Sequence, residues 1–355
     1  MASIQIRTIL DASPQFPRHD SATIVELTGG RLMLAWMEHV GGDEIGHDHS
    51  LCNIGSMVSC DGGTTWADRK ILVENAPGDV NIHYPCFLRL QSGEILFHYV
   101  RQHELKPAEP MKLSTLLCRS TDECETFSEP ITLDCRGRPL SQLSTGRVII
   151  PSQKQLGTWC GPEDRQLAGC YYSDDAGHSW TQSAGWVDLP LRGAMEPHIA
   201  ELRDGRLLMV MRTQLGAIFQ SESADGGDTW SKPQTTCLRG PESMRCLVRV
   251  PRNGDLILIW NNSEYDPQFD HFGKRTPLTV ALSKDDGQTW ENRKDLETDP
   301  TVEFTNPSCH FTSDGKVLIT YMASPMDNPD PPGQLGRSHM PLRLAIADLE
   351  WFYQS

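Results

Sequence analysis

Short apolar segments alternate with glycine-containing turns along the whole chain. In six places a turn ending in glycine leads into an apolar run: RLMLAW after Gly30, EILFHYV after Gly93, RVIIPS after Gly146, RLLMVMR after Gly205, DLILIW after Gly254 and KVLITYM after Gly315. A turn of this kind before an apolar run is typical of a β-hairpin. No helical periodicity persists beyond a turn or two, so the pattern predicts an all-β fold.

A second motif follows five of the six hairpins. It has the form S-x-D-x-G-x-[TS]-[WF] and occupies residues 59–66, 120–127, 173–180, 223–230 and 283–290, with Cys124 in the glycine position of the second copy. The aspartate is suited to accept hydrogen bonds from a tight turn, and the aromatic residue to pack between sheets. The hairpins recur about 50 to 63 residues apart, which is typical of four-stranded repeat units.

These turn motifs resemble the Asp boxes of the sialidase superfamily. Together with the six hairpins, they make the chain resemble a six-bladed β-propeller over nearly its full length, as one domain of residues 1–355. The resemblance implies that the boxes are folding elements away from the chemistry. The sixth repeat has no box, and we expect the N-terminal segment Ile4–Leu10 to supply its outer strand.

Charge and cysteine content narrow the function classes. The formal net charge of −15 argues against nucleic acid or an anionic membrane as the main partner, although a local arginine cluster could still bind an anion. The 11 cysteines show no zinc-binding spacing, which favours reduced thiols in a cytoplasmic protein. Neither a signal peptide nor a membrane-spanning run is visible. The oligomeric state stays open.

Propeller geometry predicts where functional side chains should lie. Loops that enter the first strand of a blade, and loops between its second and third strands, line one central opening. Glu196 precedes the first apolar run of the fourth repeat and Arg212 ends the second, so an antiparallel pair brings them to the same side. Arg245 and Asn306 open the fifth and sixth repeats at the same face.

The resemblance to sialidases implies specific roles. Sialidases hold a substrate carboxylate with three arginines, and Arg18, Arg212 and Arg275 match them by blade position. Glu196 matches the family's glutamate. The family's acid/base is an aspartate in the loop after the second strand of the first blade, where Asp43 fits best and Glu44 and Asp48 are rivals.

One family residue is missing. The nucleophilic tyrosine of sialidases opens the last blade, and Asn306 stands there in this chain. An amide is not a conventional nucleophile. A glycosidase built on this chain would use Glu196 differently, activate water directly, or recruit another tyrosine such as Tyr84 or Tyr265.

The number of histidines is a second departure from the sialidase pattern. Seven of the 12 are predicted at the opening: His47, His49, His83, His103, His198, His271 and His310. They could hold a divalent ion, or act as base and acid in β-elimination from a uronate.

Three hypotheses follow. The leading one is an exo-type glycoside hydrolase without a cofactor, acting on a sugar or oligosaccharide that carries a carboxylate. It assigns catalysis to Asp43, Asp48, Glu196 and His198, and substrate binding to Arg18, His83, Arg212, Arg245, Arg275, Asn306 and His310. The second is a lyase or metal-assisted enzyme that uses His83, His198 and His310, and the third is a non-catalytic glycan-binding propeller.

Overall fold

Six four-stranded antiparallel sheets make up the molecule, which confirms the predicted propeller. The computed structural model describes residues 2–41, 48–104, 109, 112–158, 163–326 and 339–354. Its helical content within these residues is limited to three short 3₁₀ segments, so the all-β prediction is confirmed.

The strands follow one another within each blade, except in the last. Blade one contains β2 (Arg18–Glu26), β3 (Leu32–His39), β4 (Cys52–Ser59) and β5 (Ala67–Val73). Blade two contains β6 (Asn81–Arg89), β7 (Ile95–Glu104), β8 (Lys112–Ser120) and β9 (Ile131–Leu133). Blade three contains β10 (Ser141–Gln142), β11 (Val148–Leu156), β12 (Arg165–Ser173) and β13 (Thr181–Gln182). Blade four contains β14 (Met195–Glu201), β15 (Leu207–Arg212), β16 (Ala217–Ser223) and β17 (Gln234–Arg239). Blade five contains β18 (Cys246–Arg249), β19 (Leu256–Asn261), β20 (Leu278–Ser283) and β21 (Glu291–Glu297).

Blade six is assembled from both ends of the sequence. It contains β22 (Val302–Phe311), β23 (Lys316–Pro325) and β24 (Leu342–Asp348), and its outer strand is β1 (Ile4–Leu10). β1 pairs antiparallel with β24, from Ile4 opposite Ala347 to Leu10 opposite Leu342. The N-terminal strand thereby covers the edge of β24, which would otherwise expose unpaired backbone groups.

The apolar core lies between the blades. Each of six buried clusters in the described residues joins two neighbouring blades. In β15, Leu207 and Met209 face blade three, whereas Leu208 and Val210 face blade five. Because alternate side chains of a strand point to opposite faces, a strand covered on both sides needs apolar residues at every position. This explains why the second strands appear in the sequence as continuous apolar runs.

The five motif copies form the turns between the third and fourth strands, as expected of Asp boxes. In blade four, the Ser223 hydroxyl accepts from the backbone N–H of Gly227 at 2.9 Å, and Asp225 accepts from that of Thr229 at 3.0 Å. Arg147, beside the hairpin of blade three, donates to the Gly226 carbonyl of this turn. The boxes therefore lie on the hairpin face of the propeller, opposite the openings of the first strands.

The described part of the chain contains no helix long and apolar enough to cross a membrane.

Candidate active site

One position recurs at the opening of every blade. It lies nine residues before the hairpin glycine and is occupied by Ser21, Tyr84, Gly137, Glu196, Arg245 and Asn306 in blades one to six. In four blades a register shift of the innermost strand falls here, between Asp20 and Thr23, His83 and Cys86, Met195 and His198, and Thr305 and Ser308. Such bulges redirect a side chain, and in these four blades they re-aim the residue at the recurring position.

The bulged residues adopt a backbone conformation that side chains rarely accept. Ser21, Tyr84, Glu196 and Asn306 have φ values of 46°, 54°, 42° and 54°. Residues in the left-handed region cost of order 1–3 kcal/mol each and concentrate at functional sites. Four strained residues at equivalent positions around one opening indicate a functional site there.

A small cleft opens between blades two, three and four. Its walls are formed by Tyr84, Arg136, Gly137, Arg138, Pro151, Gln153, Glu196, Pro197, His198 and Met244. Glu196 is the carboxylate among these residues, and two guanidinium groups and one imidazole accompany it. This composition suits an anionic ligand.

Glu196 is fixed by the arginine that the sequence placed beside it. Nη1 of Arg212 donates to the Glu196 carboxylate at 2.8 Å, and Gln153 accepts from the Glu196 backbone N–H at 2.8 Å. Burial raises the pKa of Glu196, but the charges of Arg212, Arg138 and Arg136 outweigh it, so the pKa lies below its usual value. Glu196 is therefore ionised at neutral pH.

A second carboxylate, Glu242, holds the other side of Arg212. Its Oε1 lies 3.5 Å from Nη2 of Arg212 and 2.7 Å from Nη1 of Arg192. Arg275 donates to the backbone carbonyl of Glu242 at 3.1 Å. Arg212 and Arg275, both predicted to bind the substrate carboxylate, are thus both in contact with Glu242. Sequence reasoning missed Glu242.

Arg245 lies beside this group and is 2% exposed. It donates to the backbone carbonyls of Ser243 and Pro241, at 2.9 and 3.2 Å. Burial, followed by the neighbouring charge of Arg212, lowers the pKa of Arg245 to about 9. An added anion would relieve this repulsion.

Arg18 belongs to a different cluster. It binds Asp20 at 2.5 Å and Asp48 at 2.7 Å, and Asp20 also accepts from the side-chain amide of Asn306 at 2.6 Å. The predicted site residues Asp48 and Asn306 are thereby joined around Arg18, at the junction of blades six and one. Asp43 and Glu44 lie outside the described residues.

Blade three contributes two arginines that sequence reasoning missed. Nη2 of Arg136 donates to the Tyr84 hydroxyl at 3.2 Å. The guanidinium carbons of Arg138 and Arg136 lie 4.3 and 5.7 Å from the centre of the Tyr84 ring. The signal that could have found them is the repeat itself, because Gly137, between them, stands nine residues before Gly146. Tyr265, by contrast, stacks on Phe272 outside the cleft residues.

The histidines do not gather into one group. The Gln102 amide oxygen binds His49 and His83, both at 3.1 Å. His198 lines the cleft, whereas His103 binds Ser114 at 2.6 Å. His271 lies 3.6 Å from Glu242, and His47 is outside the described residues.

His310 is not at the opening, contrary to the sequence prediction. It pairs with Leu318 near the blade-six hairpin, at the other end of β22 from Asn306. The prediction failed because β22 is ten residues long and its first part, not its last, enters the opening. Among the described residues, no three His, Cys, Asp or Glu side chains are grouped to hold a metal ion.

The lyase hypothesis also assigns a role to His83 and His198, and their burial makes both of them poor bases. The pKa of His83 is lowered to about 3 by burial and the charge of Arg136. The pKa of His198 is lowered to about 3 by burial and then by Arg138. Both imidazoles are neutral at physiological pH and are weak bases.

Comparison with known proteins gives the same architecture. The leech anhydrosialidase of Macrobdella decora is 24% identical over 196 residues, which cover 51% of this chain but only 24% of the leech protein. A protein of unknown function from Dyadobacter fermentans superposes with a TM-score of 0.73, at 18% identity, over 97% of this chain and 99% of its own. The NanB sialidase of Streptococcus pneumoniae superposes with a TM-score of 0.70, at 14% identity, over 96% of this chain and 70% of its own.

The family model described as "BNR repeat-like domain" matches residues 30–319, which span most of the chain. The repeated hairpins, the boxes and the six blades therefore have one explanation: the chain belongs to the BNR repeat-like domain family of sialidase-like propellers.

Proposed function

We propose that this protein is an exo-type glycoside hydrolase that removes a carboxylate-bearing sugar, such as a sialic or uronic acid. The observation that carries the proposal is the Glu196–Arg212 pair in a cleft that Arg136 and Arg138 also line. Relatives in sequence and structure include an anhydrosialidase and a sialidase, which supports this reaction class.

Arg212, with Arg245 and Arg275 behind it, is proposed to bind the sugar carboxylate. A guanidinium matches a carboxylate with two parallel hydrogen bonds. Arg212 is already oriented by Glu196 and Glu242, so little entropy is lost when the sugar binds. Arg18 is proposed to orient Asp48 rather than to contact this carboxylate.

The leaving oxygen needs a proton, and Asp48 or Asp43 is proposed to supply it. Asp48 has a side chain 43% exposed, held by Arg18. Asp43 is the alternative donor. In either case the acid protonates the leaving-group oxygen as its bond to the anomeric carbon breaks.

Tyr84 is proposed as the nucleophile in place of the missing tyrosine of blade six. It lines the same cleft as Glu196, and Arg136 donates to its hydroxyl oxygen, which holds that oxygen in place. The Tyr84 oxygen would bond to the anomeric carbon as the aglycone leaves, and the Glu196 carboxylate would take the Tyr84 proton. Water would then release the sugar, and two displacements would retain the anomeric configuration.

The test is fluorophore release from a 4-methylumbelliferyl α-sialoside and from a series of 4-methylumbelliferyl uronides. We expect the wild type to release fluorophore from at least one, and Glu196→Gln to be slower by about 10²-fold or more. Glu222→Gln is the matched control, because Glu222 lies on the same blade and pairs with Arg206. Saturable sugar binding by folded protein with no product in any series would refute the hydrolase and leave a glycan-binding propeller. An unsaturated product absorbing near 230 nm, roughly the enone range, would favour a lyase.

A further inference from the structure

The blade-three side of the cleft has a gap in the sixfold pattern. At the position nine residues before the hairpin glycine, blades one, two, four, five and six carry a side chain, but blade three has Gly137. A Cβ atom at Gly137 would lie 1.9 Å from the backbone carbonyl oxygen of Pro151. The close approach of the two backbones therefore requires glycine, and blade three presents no side chain of its own at this position.

The residues on either side of Gly137 are arginines, and both line the cleft. Successive side chains of an extended segment alternate in direction, so Arg136 and Arg138 share one side while Gly137 contacts β11. The segment is anchored there because the Arg136 carbonyl accepts from the backbone N–H of Gln153 at 3.0 Å and from the Ser152 hydroxyl at 2.9 Å.

Arg138 differs from the arginines of the predicted triad. Arg18 binds Asp20 and Asp48, and Arg212 binds Glu196 and Glu242. Within the described residues, Arg138 has no carboxylate within salt-bridge distance, and its buried Nε has no hydrogen-bond partner. Its contacts are the face of Tyr84 and the sulfur of Met244. A buried Nε–H group without an acceptor is costly unless a ligand pairs with it.

His198 supplies a second unused donor to the same cleft. It is 4% exposed, and its Nδ1 accepts from the backbone N–H of Leu247 at 3.4 Å. Nε2 therefore carries the proton, and in the described part of the molecule it has no partner. With the pKa of His198 lowered to about 3 by burial and by Arg138, this donor is neutral and stays protonated at Nε2 across the physiological range.

We propose that Arg136, Arg138 and the Nε2–H of His198 form a second anion-binding subsite, separate from Arg212, that holds a carboxylate or sulfate group of the substrate. The inference rests on the proposed function for the identity of the substrate. It makes the preferred substrate a glycan with two anionic groups, one at Arg212 and one at blade three. The two sites share one cleft, since the Tyr84 ring contacts Arg138, and Glu196, which Arg212 holds, lines the cleft with Tyr84.

Inorganic sulfate is the probe for the subsite itself. Wild-type protein is titrated with sodium sulfate at constant ionic strength, and the imidazole ¹⁵N–¹H correlations of His198 are followed by NMR. We expect a saturable shift at Nε2, and at least a tenfold weaker dissociation constant in Arg138→Met. Arg252→Met, which removes an exposed arginine on the hairpin face, is expected to bind as the wild type does. Should Arg138→Met fail to fold, Arg136→Met and the charge-preserving Arg138→Lys take its place.

Unchanged sulfate binding in the arginine variants, or no saturable shift of His198, would overturn the subsite. Paired substrates then test its use. A glycoside with a second carboxylate or a sulfate ester is expected to have a KM at least tenfold below that of its singly charged counterpart, and Arg138→Met should abolish this ratio. Comparison of the carboxylated and sulfated substrates identifies which anion the site prefers. If sulfate binds as expected but no glycoside is cleaved, the proposed function fails and the subsite stands.

Discussion

In blade four, the carboxylate of Glu196 accepts a hydrogen bond from Nη1 of Arg212 at 2.8 Å across the first two strands. The two side chains are 13% and 12% exposed. Arg212 also faces Glu242 at 3.5 Å, so one buried cation serves two carboxylates. Removal of the arginine should therefore cost more than removal of either carboxylate.

The first prediction compares the two halves of this pair. We expect Arg212→Met to lower the free energy of unfolding by about 3–5 kcal/mol, because it leaves two buried carboxylates without their shared cation. Glu196→Gln should cost clearly less, because Arg212 keeps Glu242. Urea unfolding at pH 7 measures both, with Glu222→Gln as the control. Equal losses for the two variants would show that the stability of Glu242 does not depend on Arg212.

The second prediction concerns Tyr84. Tyr84→Phe removes one hydroxyl and leaves the ring against Arg138, so stability should change little, whereas turnover on a cleaved substrate should fall by about 10³-fold or more. The first-formed anomer, observed by ¹H NMR, should have the configuration of the substrate. Inversion, together with an active Tyr84→Phe, would show that water attacks directly.

A third prediction follows from buried histidines. The pKa values of His19 and His310 are lowered to about 4, and those of His83, His98 and His198 to about 3, chiefly by burial. In the unfolded chain each takes up a proton near its ordinary value of 6.5, so their stabilising contribution is complete above that pH. It is lost as pH falls toward 4, by up to about 1.4 kcal/mol per pH unit for each residue.

Denaturant unfolding at pH 7, 6, 5 and 4 measures this slope. His98→Leu should reduce the slope by up to the amount that corresponds to the uptake of one proton on unfolding. The reason is that both ring nitrogens of His98 are buried without a partner in the described structure. The same change at exposed His178 is the control. A slope that His98→Leu leaves unaltered would mean that His98 is protonated in the folded protein.

The fourth prediction tests the contact between blades six and one. Asp20 has its pKa lowered to about 2, because the charge of Arg18 and the amide of Asn306 outweigh its burial. Asn306→Asp replaces that amide, 2.6 Å away, with a second carboxylate. Repulsion raises the pKa of the new pair, so the variant should lose stability as pH rises above about 4.

The melting temperatures of Asn306→Asp and the wild type should therefore differ more at pH 7.5 than at pH 5. Asn306→Ser keeps a hydrogen-bond donor and should show a loss that does not depend on pH. A pH-independent loss in Asn306→Asp would indicate that Arg18 neutralises both carboxylates.

The sequence by itself determined the architecture. Hairpin glycines, boxes and apolar runs are local signals that recur in the same order along the chain. Each is weak alone, and their repetition made the prediction of six blades strong. The pairing of Glu196 with Arg212 was also predictable, because the two ends of a hairpin must meet at one edge.

Only the tertiary structure decided which charges share the cleft. Glu242 reaches Arg212 from blade five, and Arg138 reaches Tyr84 from blade three, through contacts between residues far apart in the sequence. His310, by contrast, was predicted at the opening and lies away from it, because its place depends on where along β22 the bulge falls. Hydrophobic periodicity fixes which face of a strand is buried, but not how six blades close, and closure sets the distances between side chains on different blades.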